Sequence, residues 1–129
     1  MGEDYPEDKY PGKELTREII GAAMAVHSHL GSGFPENVYE EAITVEFELR
    51  GINFERQKPL DVFYKGIKVK QFICDLLING QILVELKAIK NLSDIEMAQV
   101  LNYLKATGLR IALLFNFGSK SLEYKRIIN

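Results

Sequence analysis

Two charged side chains share one face of a strand-like segment, residues 81–89, that is otherwise apolar. Side chains alternate across a sheet with a period of two, so Glu85 and Lys87 are predicted to point the same way. Burying an ionised group among apolar neighbours is costly unless the group is paired or binds a metal. A buried salt bridge is one explanation, but neighbours along one strand meet less well than cross-strand partners do. We therefore expect a functional site here.

Asp75 is a third charged residue in these apolar surroundings, and the register of the following hairpin decides whether it joins Glu85. A two-residue loop at residues 79–80 would turn Asp75 away from Glu85. A three-residue loop at residues 78–80 would set Asp75 opposite Leu83, with Glu85 about 7–8 Å away on the same face. We expect this second register. Two carboxylates crowded in this way take up a proton or bind a hard divalent cation.

Periodicity and turn signals predict an α/β fold with a mixed sheet: two helices, four strands, a helix and two strands. The first helix is predicted to begin after Thr16 as N-cap and to end at Gly31, and the second to cover residues 36–50. A capping box of Ser93 and Glu96 predicts the third helix, which should end at Thr107. The predicted strands cover residues 52–56, 60–64, 67–78, 81–89, 111–115 and 122–128.

The chain has 129 residues, 47% of them hydrophobic, which suffices for one domain with a buried core. We expect residues 16–129 to form that domain and residues 1–15 to be a weakly ordered lead-in. No apolar run approaches the roughly 20 residues needed to cross a bilayer, and the N-terminus lacks the apolar core of a signal peptide. A cytoplasmic location without membrane contact is therefore expected. The single cysteine, Cys74, is expected to be a buried hydrophobe rather than a catalytic thiol.

The net charge is only −2, but it is unevenly distributed. Residues 1–51 carry 4 basic and 11 acidic side chains, whereas residues 52–129 carry 12 basic and 7 acidic ones. The second half is therefore the part that could face phosphates. An acidic helical half beside a more basic sheet half, with no ligand implied, would explain the same distribution.

An ordered set of motifs resembles a known family. The run Gly-Phe-Pro-Glu-Asn-Val-Tyr at residues 33–39 matches the motif that names the GxxExxY proteins. Asp75, together with Glu-Leu-Lys at residues 85–87, resembles the signature of the PD-(D/E)XK nuclease superfamily, to which that family is assigned. The likeness covers about residues 16–129 and includes segments around positions 26–31, 99–105 and 116–118. Cys74 stands where the signature has proline, a widespread departure.

This resemblance implies a restriction-endonuclease-like fold and a metal-dependent nuclease that acts on DNA or RNA. Asp75, Glu85 and the backbone carbonyl of Leu86 would hold Mg²⁺ or Mn²⁺, ions that prefer oxygen ligands. Lys87 would orient or help to deprotonate the attacking water and offset charge on the phosphorane.

Several helical residues have both a functional and a structural interpretation. The resemblance implies that Glu36 adds a carboxylate to the metal site and that Gln99 braces the lysine and the water. Glu36 could instead complement a helix dipole, and Gln99 could hydrogen-bond with Tyr103 at the edge of the core. Tyr39 and His27 are candidate supporting residues. A tyrosine in such a position more often serves only in packing, and a histidine with apolar neighbours is more often a structural residue whose ring nitrogens are hydrogen-bonded.

Two other functions are compatible with these residues. A non-catalytic module could keep the fold and bind nucleic acid or protein, although intact Asp75, Glu85 and Lys87 argue against it. A chain of this small size and low net charge has little surface for binding a nucleic-acid substrate, so a homodimer or a partner subunit is expected to contribute to substrate binding. A sugar- or nucleotide-processing hydrolase would use the same carboxylates in a deep closed pocket, whereas a nuclease would show an open groove.

Overall fold

The computed structural model describes residues 12–129, which contain three helices and five strands. In chain order these are α1 (Lys13–Leu30), α2 (Glu36–Leu49), β1 (Phe54–Tyr64), β2 (Ile67–Ile78), β3 (Ile82–Lys87), α3 (Asp94–Thr107), β4 (Ile111–Asn116) and β5 (Glu123–Ile128). The predicted α/β class is confirmed, and the predicted order of elements is approximately correct. No helix in residues 12–129 is long and apolar enough to cross a membrane.

The strands form one mixed sheet in the order β1-β2-β3-β4-β5. The pair β3 and β4 is parallel, because α3 crosses over between these strands, and the other neighbouring pairs are antiparallel. The predicted capping box is present at the start of α3, where the Glu96 carboxylate accepts a hydrogen bond from the Ser93 backbone N–H at 2.6 Å. Gly108, with a φ of 78°, ends the helix in the left-handed conformation that glycine adopts readily.

Each face of the sheet carries its own apolar core. Ile82, Val84 and Leu86 of β3 belong to the core beneath α1 and α2, whereas Leu83 belongs to a second core beneath α3. This confirms the predicted alternation along β3 and leaves Glu85 on the α3 side. Each fully buried Leu, Ile or Val side chain contributes about 1.5–3 kcal/mol, so the two cores fix the strand that carries the charged residues.

The start of α1 differs from the prediction, which made Thr16 the N-cap. Gly12, with a φ of 71°, occupies that position, and Thr16 is fully buried inside the helix with its N–H donating to the Gly12 carbonyl at 2.7 Å. Leu15 packs against the core, and this packing stabilises the additional turn. Residues 13–15 thus belong to α1 rather than to the predicted lead-in, and residues 1–11 of that lead-in lie outside the described residues.

The strands predicted at residues 52–56 and 60–64 form one continuous strand, β1. Two residues explain the apparent break in the sequence pattern. Gln57 has a positive φ of 48°, and Pro59 has no N–H to donate. Both are tolerated because β1 is an edge strand with one unpaired side.

Candidate active site

The turn between β2 and β3 determines which residues face each other farther along the hairpin. Asn79 and Gly80 both have positive φ, 53° and 68°, and the Gln81 N–H donates to the Ile78 carbonyl at 2.9 Å. These are the features of an Asn-Gly turn of type I′. Ile78 nevertheless pairs with Ile82, so Gln81 is an additional residue beside the turn.

This register brings Asp75 opposite Glu85. The loop has three residues, as predicted, but it comprises residues 79–81 rather than 78–80. The predicted placement of Asp75 opposite Leu83 is therefore wrong, because Leu83 pairs with Leu77. Asp75 and Glu85 nevertheless lie side by side, since the Asp75 N–H donates to the Glu85 carboxylate at 3.3 Å, and their sharing of one metal site stays a prediction.

Where β2 separates from β3, hydrogen bonds from backbone N–H groups to side-chain carboxylates replace the backbone–backbone hydrogen bonds of the sheet. The Asp75 carboxylate accepts a hydrogen bond from the Leu86 N–H at 2.8 Å, and the Asp75 N–H donates to the Glu85 carboxylate at 3.3 Å. The alternation of β2 also shifts here, because Cys74 belongs to the core beneath α3 and Leu76 to the core beneath α1 and α2. Asp75 thus occupies the gap between the two strands.

Glu85 is buried, with only 8% of its surface exposed. Burial and, after it, the charge of Asp75 raise the pKa of Glu85 to about 8, while the Asp75 N–H and Lys87 act in the opposite direction. An ionised pair of carboxylates is unfavourable in this position, and a proton or a cation relieves the repulsion.

Glu36, the first residue of α2, is a third carboxylate whose pKa responds to Asp75 and Lys87. Burial raises the pKa of Glu36, Asp75 adds to the rise, and Lys87 acts against it. Glu36 therefore interacts with the same charged groups as Glu85 does. This goes beyond the helix-dipole role considered from the sequence.

Tyr39 holds the turn that precedes α2. It is fully buried, and its hydroxyl donates to the Gly31 carbonyl at 2.6 Å and accepts from the Phe34 N–H at 3.2 Å. Its ring stacks on Phe117 with 4.7 Å between centroids. These contacts hold the turn that leads into α2, which begins at Glu36, and a supporting role of Tyr39 in the site stays a prediction.

His27 connects α1 to the loop after β4. Its Nε2 lies 3.0 Å from the Ser119 carbonyl oxygen, and its ring centroid lies 6.1 Å from that of Phe117. None of these contacts involves Asp75 or Glu85. They fit the interpretation of His27 as a satisfied structural histidine.

The helix α3 packs on the side of the sheet that carries Leu83 and Glu85. The Tyr103 ring stacks on Phe72 with 3.9 Å between centroids. Burial and then Glu85 raise the pKa of Tyr103, and a hydrogen bond with the Gln99 side chain lowers it. Gln99 is exposed, and the hydrogen bond of its side chain is with Tyr103. Gln99 was expected to brace Lys87 instead.

Lys87, the last residue of β3, interacts electrostatically with carboxylates from three elements. It lowers the pKa values of Glu36, Glu85 and Glu96, although it is not the largest influence on any of them. No ion pair within 4.0 Å joins Lys87 to a carboxylate of residues 12–129. Its proximity to Glu96 was not anticipated from the sequence, where Glu96 served only as a capping residue.

Sequence reasoning assigned no role to Asn116 and Glu123, which hold the loop after β3. The buried Asn116 Oδ1 accepts hydrogen bonds from the N–H groups of Ile89 and Gly118, at 2.9 and 3.0 Å, and its Nδ2 donates to Glu123 at 2.8 Å. A Cβ on Gly118 would collide with the backbone of Ile89. The sequence feature that could have indicated this role is an asparagine at the end of an apolar strand, because a buried side-chain amide requires hydrogen-bond partners.

Metal binding would need more than acidic side chains at this site. Within residues 12–129, no three Asp, Glu, His or Cys side chains are arranged so that they could hold a metal ion by themselves. Backbone carbonyls and waters would have to complete the coordination, as they commonly do for Mg²⁺. Two surface cavities, of about 490 and 270 Å³, are lined by residues other than Asp75, Glu85 and Lys87.

Solved structures with a similar fold include the crystal structure of SSO0001, with a TM-score of 0.57 and 15% identity. That match covers 92% of this chain and 59% of the other, so this chain spans less than two thirds of that protein. An alkaline exonuclease (LHK-Exo) from Laribacter hongkongensis has a TM-score of 0.47 and 13% identity, with 94% of this chain and 71% of that chain covered. No curated protein sequence matches significantly.

A family model covers nearly the whole chain. The model of the PD-(D/E)XK nuclease superfamily matches residues 13–127, which include all the site residues described above. This chain therefore belongs to the PD-(D/E)XK nuclease superfamily.

Proposed function

We propose that this protein is a metal-dependent nuclease that hydrolyses phosphodiester bonds of DNA or RNA in the cytoplasm. The observation that carries the proposal is the buried Glu85 carboxylate in contact with Asp75, with Lys87 beside it at the end of β3. Membership of the superfamily supports the same reaction. The motif at residues 33–39 further supports placing the chain among the GxxExxY proteins, with residues 16–129 as a single nuclease domain.

The donor set suits Mg²⁺ or Mn²⁺. In this proposal Asp75, Glu85 and the Leu86 carbonyl hold the ion, and Glu36 adds a carboxylate from α2. The raised pKa of Glu85 supports it, because crowded carboxylates in a buried position bind a divalent cation favourably. A bound ion would neutralise charge on the phosphate and lower the pKa of the attacking water.

The remaining side chains have supporting roles in this proposal. Lys87 orients the attacking water or helps to deprotonate it, and offsets the negative charge that develops on the phosphorane. Gln99 acts through Tyr103, its described partner, to position the water and the lysine. A homodimer or a partner subunit would enlarge the surface that holds the substrate.

A second candidate is a non-catalytic module that keeps the fold and binds nucleic acid or protein. The observation that favours it is the lack, within residues 12–129, of a side-chain cluster able to hold a metal by itself. Such a module would not need the Lys87 ammonium for chemistry, which provides a way to separate the two functions.

The test is incubation of the purified protein with single- and double-stranded DNA and RNA, with Mg²⁺, with Mn²⁺ and with a chelator. A nuclease cleaves at least one substrate with metal and none with chelator, and Glu85→Gln, which keeps the size of the side chain, removes the cleavage. A matched control is Glu48→Gln, on an exposed surface of α2. No cleavage under any condition, together with salt-dependent binding, would replace the nuclease with the binding module.

A further inference from the structure

The β1–β2 hairpin extends beyond the candidate active site as a two-stranded arm, residues 58–74. Pairing of β2 with β3 is regular only over residues 76–78 of β2, whereas the pairing of β1 with β2 continues to Tyr64 and Ile67. Strands β3 and β4 end at the paired residues Lys87 and Asn116, so the arm projects past the end of the sheet where the site lies. At about 3.3 Å per residue, its tip lies roughly 25 Å from Asp75.

The two faces of the arm differ in their surroundings. One face, here called the α3-side face, carries the cross-strand pairs Leu60–Phe72, Val62–Lys70 and Tyr64–Ile67. Leu60 and Phe72 pack against the core beneath α3, whereas Tyr64 and Ile67 at the tip are 63% and 69% exposed. The opposite face carries the pairs Pro59–Ile73, Asp61–Gln71 and Phe63–Lys68.

Charge also distinguishes the faces. Residues 58–70 contain four lysines and one aspartate, in a chain whose net charge is −2. On the opposite face, Lys68 lies 3.3 Å from the Asp61 carboxylate and is thereby compensated. Neither Lys65 nor Lys70 forms such an ion pair within residues 12–129, and the Lys65 Nζ lies 5.4 Å from the centroid of the Tyr64 ring. The uncompensated cations therefore lie at the tip and on the α3-side face.

The α3-side face is continuous with the candidate active site. Phe72 stacks on Tyr103, and Tyr103 in turn interacts electrostatically with Glu85. A row of rings and apolar side chains with uncompensated lysines thus leads from the tip of the arm to the carboxylates. Aromatic rings on which bases stack, beside cations that face phosphates, are the features of surfaces that bind single-stranded nucleic acid.

We infer that the α3-side face of the arm binds a single-stranded stretch of the DNA or RNA substrate and leads it to Asp75 and Glu85. This inference rests on the proposed nuclease function and adds the form of substrate that the site receives. Unpaired bases are required because Tyr64 can stack only on a base whose face is accessible.

The test compares two double variants that change the same kinds of side chain on opposite faces. Tyr64→Ala with Lys70→Gln alters the α3-side face, and Phe63→Ala with Lys68→Gln is the matched control on the opposite face. Fluorescence anisotropy in chelator measures binding of labelled single-stranded DNA, single-stranded RNA and duplex DNA without cleavage. Because all four side chains are exposed, thermal unfolding should be unchanged in both variants.

We expect the α3-side variant to bind single strands at least about tenfold more weakly than wild type, because it loses one stacked base and one phosphate contact. Its affinity should also depend less steeply on salt, and the control should stay close to wild type. The DNA and RNA oligonucleotides show which polynucleotide the arm prefers.

Equal weakening by both variants, or none by either, would overturn the inference. So would loss of a dimer in sedimentation by the α3-side variant with unchanged affinity, because the face would then join two copies of the chain. Arm-dependent binding without cleavage under any metal condition would keep the binding surface and reject the nuclease. Cleavage that proceeds with unchanged binding in the α3-side variant would keep the nuclease and reject the arm.

Discussion

The Asp75 carboxylate accepts a hydrogen bond from the Leu86 backbone N–H, at 2.8 Å, in the position where a regular β2–β3 ladder would otherwise continue. This bond fixes the orientation of Asp75 relative to the residue whose carbonyl we propose as a metal ligand. A hydrogen bond to a charged group contributes about 1.5–3 kcal/mol. Asp75→Asn can keep the acceptor oxygen while removing the charge, which makes it a suitable test of metal binding.

Metal should stabilise the folded protein through Asp75. A ligand present at ten times its Kd stabilises by about 1.4 kcal/mol, which corresponds to a rise in Tm of roughly 5 °C for a chain of this size. Thermal unfolding with millimolar Mg²⁺ or Mn²⁺ measures this rise. We expect Asp75→Asn to abolish it and Asp61→Asn, on the exposed arm, to retain it. Equal shifts in wild type and Asp75→Asn would show that the ion binds elsewhere.

Stability without metal should decrease as the pH rises. Folded Glu85, with a pKa of about 8 instead of its ordinary 4.5, retains a proton that the unfolded chain releases. Between these two values the folded state binds more protons, so raising the pH lowers the free energy of unfolding, by at most about 1.4 kcal/mol per pH unit. Chemical denaturation in chelator at several pH values measures this slope.

Two comparisons isolate the contribution of Glu85 to this slope. Glu85→Gln cannot titrate and should flatten it, whereas Glu48→Gln should leave it unchanged. Saturating metal should also flatten the slope, because the ion takes the place of the proton. A wild-type slope identical to that of Glu85→Gln would refute the raised pKa.

Asn116→Ala should destabilise the protein by about 2–4 kcal/mol, because it leaves the N–H groups of Ile89 and Gly118 without an acceptor and removes one of the hydrogen bonds to the Glu123 carboxylate. Chemical denaturation gives the change in the free energy of unfolding. Asn102→Ala, at an exposed position of α3, is the control and should change stability by less than about 0.5 kcal/mol. Similar values for both variants would show that the buried amide network does not stabilise the loop.

The sequence predicted those features that depend on local pattern. The alternation along β3 and the capping box at Ser93 were correct, because each is determined by residues within a few positions of one another. Features that depend on distant contacts were missed. The additional turn of α1 requires Leu15 to pack on the core, and the Asn116 bonds connect β4 with the loop after β3.

The register of the β2–β3 hairpin could not be predicted from local sequence rules. The Asn-Gly turn at residues 79–80 has the type I′ features that its residues favour, but Gln81 is added beside it. The residue types in the turn do not predict that Gln81 is added beside it. The bonds that accompany it, between Asp75 and residues 85–86, form only when the strands have met.

Lys87→Met distinguishes the nuclease from the binding module. Methionine keeps an unbranched apolar stem and removes the ammonium, so folding and metal-induced stabilisation should be nearly unchanged. If Lys87 stabilises the transition state, the rate of cleavage should fall about 10²–10³-fold, the loss typical of removing one such group. Lys90→Met, in the exposed loop after β3, is the matched control and should cleave at the wild-type rate. Cleavage rates from gel-resolved time courses, at saturating metal, provide the measurement. Wild-type activity in Lys87→Met would mean that the reaction takes place without this lysine. The active site would then have to be reassigned, although the protein would still be a nuclease.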